Sequence, residues 1–225
     1  TLTLSAQEAP SLFDQLIFTA EPHKAAQQST PGKESTSEMN SLTEFTQGLS
    51  LMSAGDGLAA AEKFWIGGRS NLSNYELLEE LAHSFLLSAG DTDSALHLLD
   101  ALLAEGHKSV NLFRLKALAK LGAGQVKSAE TMFKKLSDSR KIKVDDFYHL
   151  AVSKAYQGEL VSASIMLGET LQLQGDHLPS LVLQFRAAAF MQKGNAVRPI
   201  ARKVKALMTV NEWEALLALR EFDVL

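Results

Sequence analysis

Apolar residues recur at helical spacing along most of the chain, and short polar stretches interrupt them at regular intervals. From Ser41 onward the apolar positions fall at i, i+3, i+4 and i+7, which is the spacing of one face of an amphipathic helix. Capping-type residues precede several stretches, such as Ser41 followed by Glu44. The pattern predicts five helix pairs, which span 41–53 with 57–66, 73–88 with 92–105, 109–122 with 126–137, 144–156 with 159–173, and 178–192 with 196–208.

The glycines between the paired helices follow a nearly fixed period. Each is followed five residues later by a small residue that opens the next apolar stretch, and successive glycines are 34 to 36 residues apart. Glycine can adopt positive φ and end the first helix, and a small residue one turn into the second helix lets the two approach closely. A period of this size is typical of stacked supersecondary units. The pairs are Gly55 and Ala60, Gly90 and Ala95, Gly124 and Ala129, Gly158 and Ala163, and Gly194 and Pro199.

The two ends of the chain depart from this repeat. Residues 19–40 are polar, contain Pro22 and Pro31, and lack apolar spacing, so we interpret them as a flexible linker. Residues 1–18 contain a short apolar cluster on one predicted helical face, and residues 41–225 form the repeat domain. A last stretch at 211–222 fits a helix that covers the end of the array. The N-terminal apolar cluster consists of Leu12, Phe13, Leu16 and Ile17.

Composition sets limits on the function. Apolar residues make up 46% of the 225, and the net charge of −4 argues against general binding of nucleic acid or of anionic membranes. The chain has no cysteine, which excludes disulfides and thiolate chemistry and is compatible with both cytoplasm and periplasm. No apolar run approaches the ~18 residues of a membrane span.

Groups that could carry catalysis or bind a metal are scattered. Three acid–histidine pairs stand four residues apart on predicted helices, but no second histidine joins them at ligand spacing and no HExxH motif occurs. Neither a phosphate-binding loop nor a nucleophile elbow is present. We therefore interpret the pairs as helix-surface contacts or caps, and we expect no enzyme activity, metal or cofactor. The pairs are Glu79/His83, Asp93/His97 and Asp145/His149.

The period and the residues that carry it resemble the tetratricopeptide repeat (TPR). In that family a small residue of the first helix precedes the turn glycine, and a large residue follows the small residue of the second helix. The resemblance covers about 41–208, is strongest in the third and fourth units, and is broken at Glu44, Glu79, His83 and Lys203. It implies an all-α, right-handed superhelix of antiparallel helix pairs with a C-terminal capping helix. The matching residues are Gly48, Ala117, Ala151 and Ala187 in first helices, Phe113, Phe147 and Leu183 four residues before three of these, and Phe64, Leu99, Phe133 and Leu167 in second helices.

In the TPR family the first helices line a concave groove that binds another protein. The resemblance therefore implies a non-catalytic adaptor or chaperone that holds an amphipathic helix or an extended peptide, broadly similar to the TPR chaperones of bacterial type III secretion. For each groove residue, the alternative is packing against a neighbouring helix. The groove positions implied by the repeat register are Leu42, Phe45, Leu49, Met52, Leu77, Glu80, Ser84, Leu87, Asn111, Arg114, Leu118, Leu121, Asp145, Tyr148, Val152, Tyr156, Leu181, Gln184, Ala188 and Met191.

The sequence leaves other functions open. The chain could be a structural subunit of a larger assembly, or a homodimer. A pentatricopeptide-like array that binds RNA would need a basic groove, and the clamp that binds acidic chaperone tails would need Lys and Asn where Phe45 and Leu49 stand, so we expect neither. The basic clusters at 134–143 and 193–205 are either solvated faces or docking patches for an acidic protein or nucleic acid. The N-terminal apolar cluster could fold back into the groove as a mimic of the partner.

Overall fold

The protein is built from α-helices. The computed structural model describes residues 33–69, 74–88, 90–139, 141–191 and 194–218, and none of these residues lies in a β-strand. The all-α fold class predicted from the sequence is therefore confirmed. The helices are α1 (Lys33–Ser53), α2 (Gly57–Gly68), α3 (Tyr75–Ser88), α4 (Thr92–Ala104), α5 (Val110–Gly122), α6 (Val126–Asp138), α7 (Val144–Tyr156), α8 (Leu160–Leu173), α9 (Leu178–Phe190), α10 (Gly194–Leu207) and α11 (Val210–Ala218).

Tight turns that contain glycine join the helices of the first four pairs. Gly55, Gly90, Gly124 and Gly158 have positive φ values of 84°, 60°, 74° and 77°, as predicted for residues that end a first helix. Helix α1 packs against α2, α3 against α4, α7 against α8, and α9 against α10. The prediction was wrong for the fifth glycine, because Gly194 begins α10 instead of closing the turn before it.

The contacts divide the chain into two compact units, residues 1–119 and 120–225, and the boundary falls within α5. In the first unit, a row of phenylalanine rings occupies the core. The ring centroids of Phe45 and Phe64 are 6.0 Å apart, and those of Phe64 and Phe85 are 6.2 Å apart. Leucines of α3, α4 and α5 complete this core, namely Leu78, Leu81, Leu98, Leu99, Leu102, Leu112 and Leu115.

The second unit has an apolar core at its C-terminal end. Phe185 of α9 is fully buried, and its ring centroid lies 5.8 Å from that of Trp213 in α11. Val197 and Val204 of α10 pack in the same core together with Leu216 of α11. A terminal helix therefore packs against α10 as predicted. It spans Val210–Ala218 among the described residues, and residues 219–225 lie outside them.

Small residues let paired helices approach closely. A Cβ added at Gly48 of α1 would lie 2.5 Å from Cε1 of Phe64 in α2, so the ring occupies the space that a larger residue would need. The small residue of the second helix is also fully buried in four pairs. Its exposed surface is zero at Ala60, Ala95, Ala129 and Ala163.

Helix α1 begins at Lys33 and not at Ser41, so the last part of the predicted linker is helical. Residues 33–40 contain a single apolar residue, Met39, and apolar spacing therefore gives no signal there. Lys and Glu, which occur in this stretch, are nevertheless good helix formers.

Gly67 and Gly68 lie beyond the predicted helix 57–66, but they form the last turn of α2 and are buried. A Cβ at Gly68 would lie 2.8 Å from Cδ1 of Leu78, and one at Gly67 would lie 3.0 Å from the backbone oxygen of Ser41. These glycines serve close packing against α1 and α3.

Candidate protein-interaction surface

In the first unit, the predicted groove positions are divided between core and surface. Leu42 and Leu87 are 59% and 74% exposed. Phe45 is only 5% exposed and packs in the core, so an open surface cannot include it. The other positions on α1 and α3 are partly buried, namely Leu49, Met52, Leu77, Glu80 and Ser84.

The predicted positions on α5 are mostly engaged within the protein. Asn111 Nδ2 donates a hydrogen bond of 2.8 Å to Oε2 of Glu79. Arg114 is buried, and Leu118 packs against the core of the first unit. Leu121 is half-buried. Phe45 and Arg114 are therefore too buried to contribute to a binding surface.

The second unit contains an apolar cavity of about 390 Å³. Three predicted groove residues of α7, namely Tyr148, Val152 and Tyr156, line it. Tyr156 is 74% exposed, and Phe190 across the cavity is 78% exposed. Large aromatic rings with this much exposed surface border a wide mouth. The other lining residues are Ala155, Leu160, Leu183, Arg186 and Ala187.

Helices α7 and α9 bring these side chains together because they are neighbours in the second unit. The lining residues of α9 follow the spacing i, i+3, i+4 and i+7, starting at Leu183. The predicted positions on α9 were different: Leu181 and Ala188 are buried in the core, and Gln184 and Met191 are half-buried outside the cavity lining. Helix α9 is apolar on all sides, so its sequence does not single out the face that borders the cavity.

The cavity combines apolar walls with a few polar groups. Burial raises the pKa of Tyr148, although the charge of Arg186 acts in the opposite direction, so the hydroxyl stays protonated at neutral pH. The Tyr148 ring makes edge contacts with the rings of His149 and His177, at centroid distances of 5.2 and 5.6 Å. Burial lowers the pKa of His149, which is therefore neutral at pH 7. None of the nine lining residues is acidic.

Asp145, His177 and Ser180 form a series of contacts from carboxylate to imidazole to hydroxyl, as the residues of a catalytic triad do. Nε2 of His177 is 3.0 Å from Oδ1 of Asp145, and Nδ1 is 2.8 Å from Oγ of Ser180. However, Nδ1 also accepts the backbone N–H of Ser180 as the cap of α9, and Ser180 has no exposed surface. A substrate could not reach this hydroxyl, and the three residues together fix the start of α9.

The histidines of the three acid–histidine pairs do not bond to the acid four residues earlier. His97 Nε2 is 2.9 Å from Oε2 of Glu62, and His177, not His149, contacts Asp145.

Glu79 makes a contact in the first unit like that of Asp145 in the second, and Glu79 is only 4% exposed. Glu79 accepts hydrogen bonds from His107 at 2.7 Å, from Ser109, and from Asn111. The Ser109 hydroxyl in turn accepts the N–H of Leu112 in the first turn of α5.

These two carboxylates join the first helix of one repeat to the start of the first helix of the next. Both contacts span 32 residues, from Glu79 to Asn111 and from Asp145 to His177. Within the described ranges, no group of three or more His, Asp or Glu side chains is placed to hold a metal ion. No described helix is long and apolar enough to span a membrane. The N-terminal cluster of Leu12, Phe13, Leu16 and Ile17 lies outside the described residues.

Solved structures with the same fold are TPR proteins and MamA proteins. A thermophilic TPR protein of Thermus thermophilus, TTC0263, is 17% identical with a TM-score of 0.55, and the match covers 80% of this chain and 100% of that one. YrrB, a TPR protein with an unusual peptide-binding site, is 13% identical with a TM-score of 0.55, over 81% of this chain and 93% of its own. MamA from Desulfovibrio magneticus RS-1, from residue 41 to its end, is 13% identical with a TM-score of 0.55, over 78% and 96%.

No protein-family model and no curated relative matches the sequence. The chain therefore has the TPR fold, and the resemblance seen in its sequence is confirmed at the level of structure. Identities this low establish the fold alone. The similarity to type III secretion chaperones stays a prediction.

Proposed function

We propose that the protein is a non-catalytic interaction module, an adaptor or chaperone, that binds an apolar helical or extended segment of another protein at the second unit. The cavity of about 390 Å³ between α7 and α9 is the observation that supports this function. Its aromatic walls match the residue types that anchor protein interfaces, and three of its residues were predicted from the repeat register.

The exposure of the lining residues favours a polypeptide over a small molecule. Pockets for small molecules bury most of the ligand surface. Here Tyr156 and Phe190 are more than 70% exposed, so a large part of their ring surface would be covered only by a ligand that extends beyond the cavity. The absence of acidic lining residues and the presence of Arg186 suit a segment that carries no cation next to its apolar anchor.

Selection from a displayed library of random peptides tests this function. Enriched peptides are synthesised, and their affinity is measured by titration calorimetry with the wild-type protein and with variants. We expect Tyr156→Ala and Phe190→Ala each to weaken binding by about tenfold or more, because each removes an exposed aromatic anchor. Both side chains lie mostly in solvent, so folding should be unaffected.

Leu173→Ala is the matched control. Leu173 is 63% exposed on α8 in the same unit and does not line the cavity. Its replacement should leave the affinity unchanged. If the enriched peptides bind both cavity variants as tightly as the wild type, the proposed surface is wrong.

A further inference from the structure

Charge is divided unequally between the two units. Residues 1–119 contain 15 Asp and Glu against 7 Lys and Arg, a formal charge of −8, whereas residues 120–225 contain 11 against 15, a charge of +4. The net charge of −4 for the whole chain conceals this asymmetry. Fields from such units reach over about one Debye length, ~10 Å at 0.1 M salt, and they attract surfaces of opposite sign.

Helix α10 presents the basic surface. Arg198, Arg202 and Lys205 are spaced i, i+4 and i+7 and share one face, with Lys203 beside them, and all four are exposed. None of them forms an ion pair with another described residue. The opposite face of α10 is already packed in the core of the second unit through its valines. The face that carries these four cations is left available, and it binds by charge.

Helices α2 and α4 present an acidic surface in the first unit. Asp93 and Asp100 stand seven residues apart on one face of α4, with His97 between them. His97 contacts Glu62 of α2 at 2.9 Å, which places a third carboxylate at the same face. The side chains of Glu62 and Asp100 are 53% and 58% exposed, and Asp100 also forms an ion pair of 2.5 Å with Nζ of Lys116 in α5. The apolar face of α4 packs in the first core through Ala95, Leu98, Leu99 and Leu102, so the charged face is the one that is available.

The two charged faces are equal in length and opposite in sign. Seven residues of helix extend about 10 Å, which is the span from Asp93 to Asp100 and also from Arg198 to Lys205. We infer that a second copy of this chain docks its acidic face, formed by Glu62, Asp93 and Asp100, on the basic face of α10. The contact joins two different faces, so it is head-to-tail and can repeat from copy to copy. It lies on surfaces other than the cavity and does not depend on the proposed function.

Sedimentation velocity of the full chain at low and high salt tests the contact. Exposed ion pairs are weak and screened, so association should be visible at about 20 mM salt and lost at about 300 mM. Arg198→Glu/Arg202→Glu should weaken self-association about tenfold or more, and Glu62→Lys/Asp93→Lys should do the same. Circular dichroism confirms that each variant is folded. Lys127→Glu/Lys135→Glu on α6 is the matched control, because it makes the same charge change on two other exposed lysines and should keep the association.

Mixing the two reversed variants decides between a specific contact and a general effect of charge. The mixture should associate although neither variant does so alone, because each reversed face then meets one of opposite sign. A wild-type protein that is monomeric at every salt concentration overturns the inference, as does self-association that survives both reversals. Binding of a labelled single-stranded RNA that depends on Arg198 and Arg202, without self-association, would assign the basic face to nucleic acid instead.

Discussion

At the scale of single residues, the absence of a side chain at Gly48 is a packing requirement. We predict that Gly48→Ala destabilises the protein by about 1–2 kcal/mol, because overpacking against Phe64 outweighs the better helix propensity of alanine. Urea unfolding followed by far-UV circular dichroism measures the change in the free energy of unfolding.

Gly168→Ala provides the opposite case. Gly168 lies within α8, and a Cβ added there meets no atom within 4 Å. The substitution should therefore stabilise the protein by about 0.5–1 kcal/mol. Equal effects of the two substitutions would contradict the role assigned to Gly48.

The charge state of Glu130 contributes to the stability of the second unit. Burial alone would raise its pKa, but hydrogen bonds from Lys134, Gln157 and Lys154 outweigh it and lower the pKa to about 2 from 4.5. A lowered pKa in the folded state means that the stabilisation is complete above pH 4.5 and is lost as the pH falls towards 2. Its size is on the order of 2–3 kcal/mol.

We predict that Glu130→Gln lowers the unfolding free energy by this amount at pH 6 and by about half of it at pH 3, where the Glu130 carboxyl of the unfolded wild-type chain, with its ordinary pKa of 4.5, is already protonated. Urea unfolding at the two pH values measures the difference. Glu159→Gln is the control, because Glu159 also bonds Lys154 but is 44% exposed, and it should have little effect at either pH. A loss that is the same at pH 6 and pH 3 would show that the charge of Glu130 is not the cause.

At the scale of elements, the start of α5 depends on a carboxylate from α3. Glu79→Ala would leave His107, Ser109 and Asn111 without their shared acceptor. We predict a loss of about 3 kcal/mol in unfolding free energy, because hydrogen bonds to a buried charge are the strong ones. Faster amide exchange at Leu112 should accompany it, since the Ser109 cap loses its support.

Glu76→Ala is the control for this element. Glu76 lies on α3 as well but is exposed, and its removal should cost less than about 0.5 kcal/mol. If the two alanine variants are equally stable, the Glu79 network does not hold α5 in place.

The helix pairs were predictable because their signals are local, and the contacts between pairs were not. A glycine turn and a small residue at a fixed distance give the pairs directly, as at Gly124 and Ala129. The start of α1 was missed because residues 33–40 lack apolar spacing. In the sequence Glu79 is a departure from the repeat with no visible role, because its donors stand about 30 residues away and only the packing of α3 near α5 brings them together.

In the candidate site, too, the sequence predicted some of the residues and could not predict others. Tyr148, Val152 and Tyr156 of α7 were predicted to be available to a partner, and they line the cavity. On α9 the apolar residues surround the helix, so the sequence could not distinguish Phe190 at the surface from Phe185 in the core. Phe45 shows the converse, because an apolar residue at a groove position of the first unit packs inside.

At the scale of the whole molecule, the segment before α1 is the remaining candidate for control of binding. The hypothesis that residues 12–17 occupy the binding surface predicts that deletion of residues 1–30 raises the affinity for the peptides selected above. The deletion ends before Lys33, so it leaves α1 intact. Titration calorimetry of the shortened and full chains measures the change, and an unchanged affinity would exclude self-docking.

The contacts of Glu79 and Asp145 also bear on how the chain is made. Each carboxylate accepts from a residue 32 positions later in the sequence, so in synthesis the acceptor leaves the ribosome before its donor. A newly emerging repeat thus finds the group that sets its first helix already in place on the preceding one. The order of translation and the direction of these hydrogen bonds agree, which favours growth of the folded array from the N-terminus as the nascent chain lengthens.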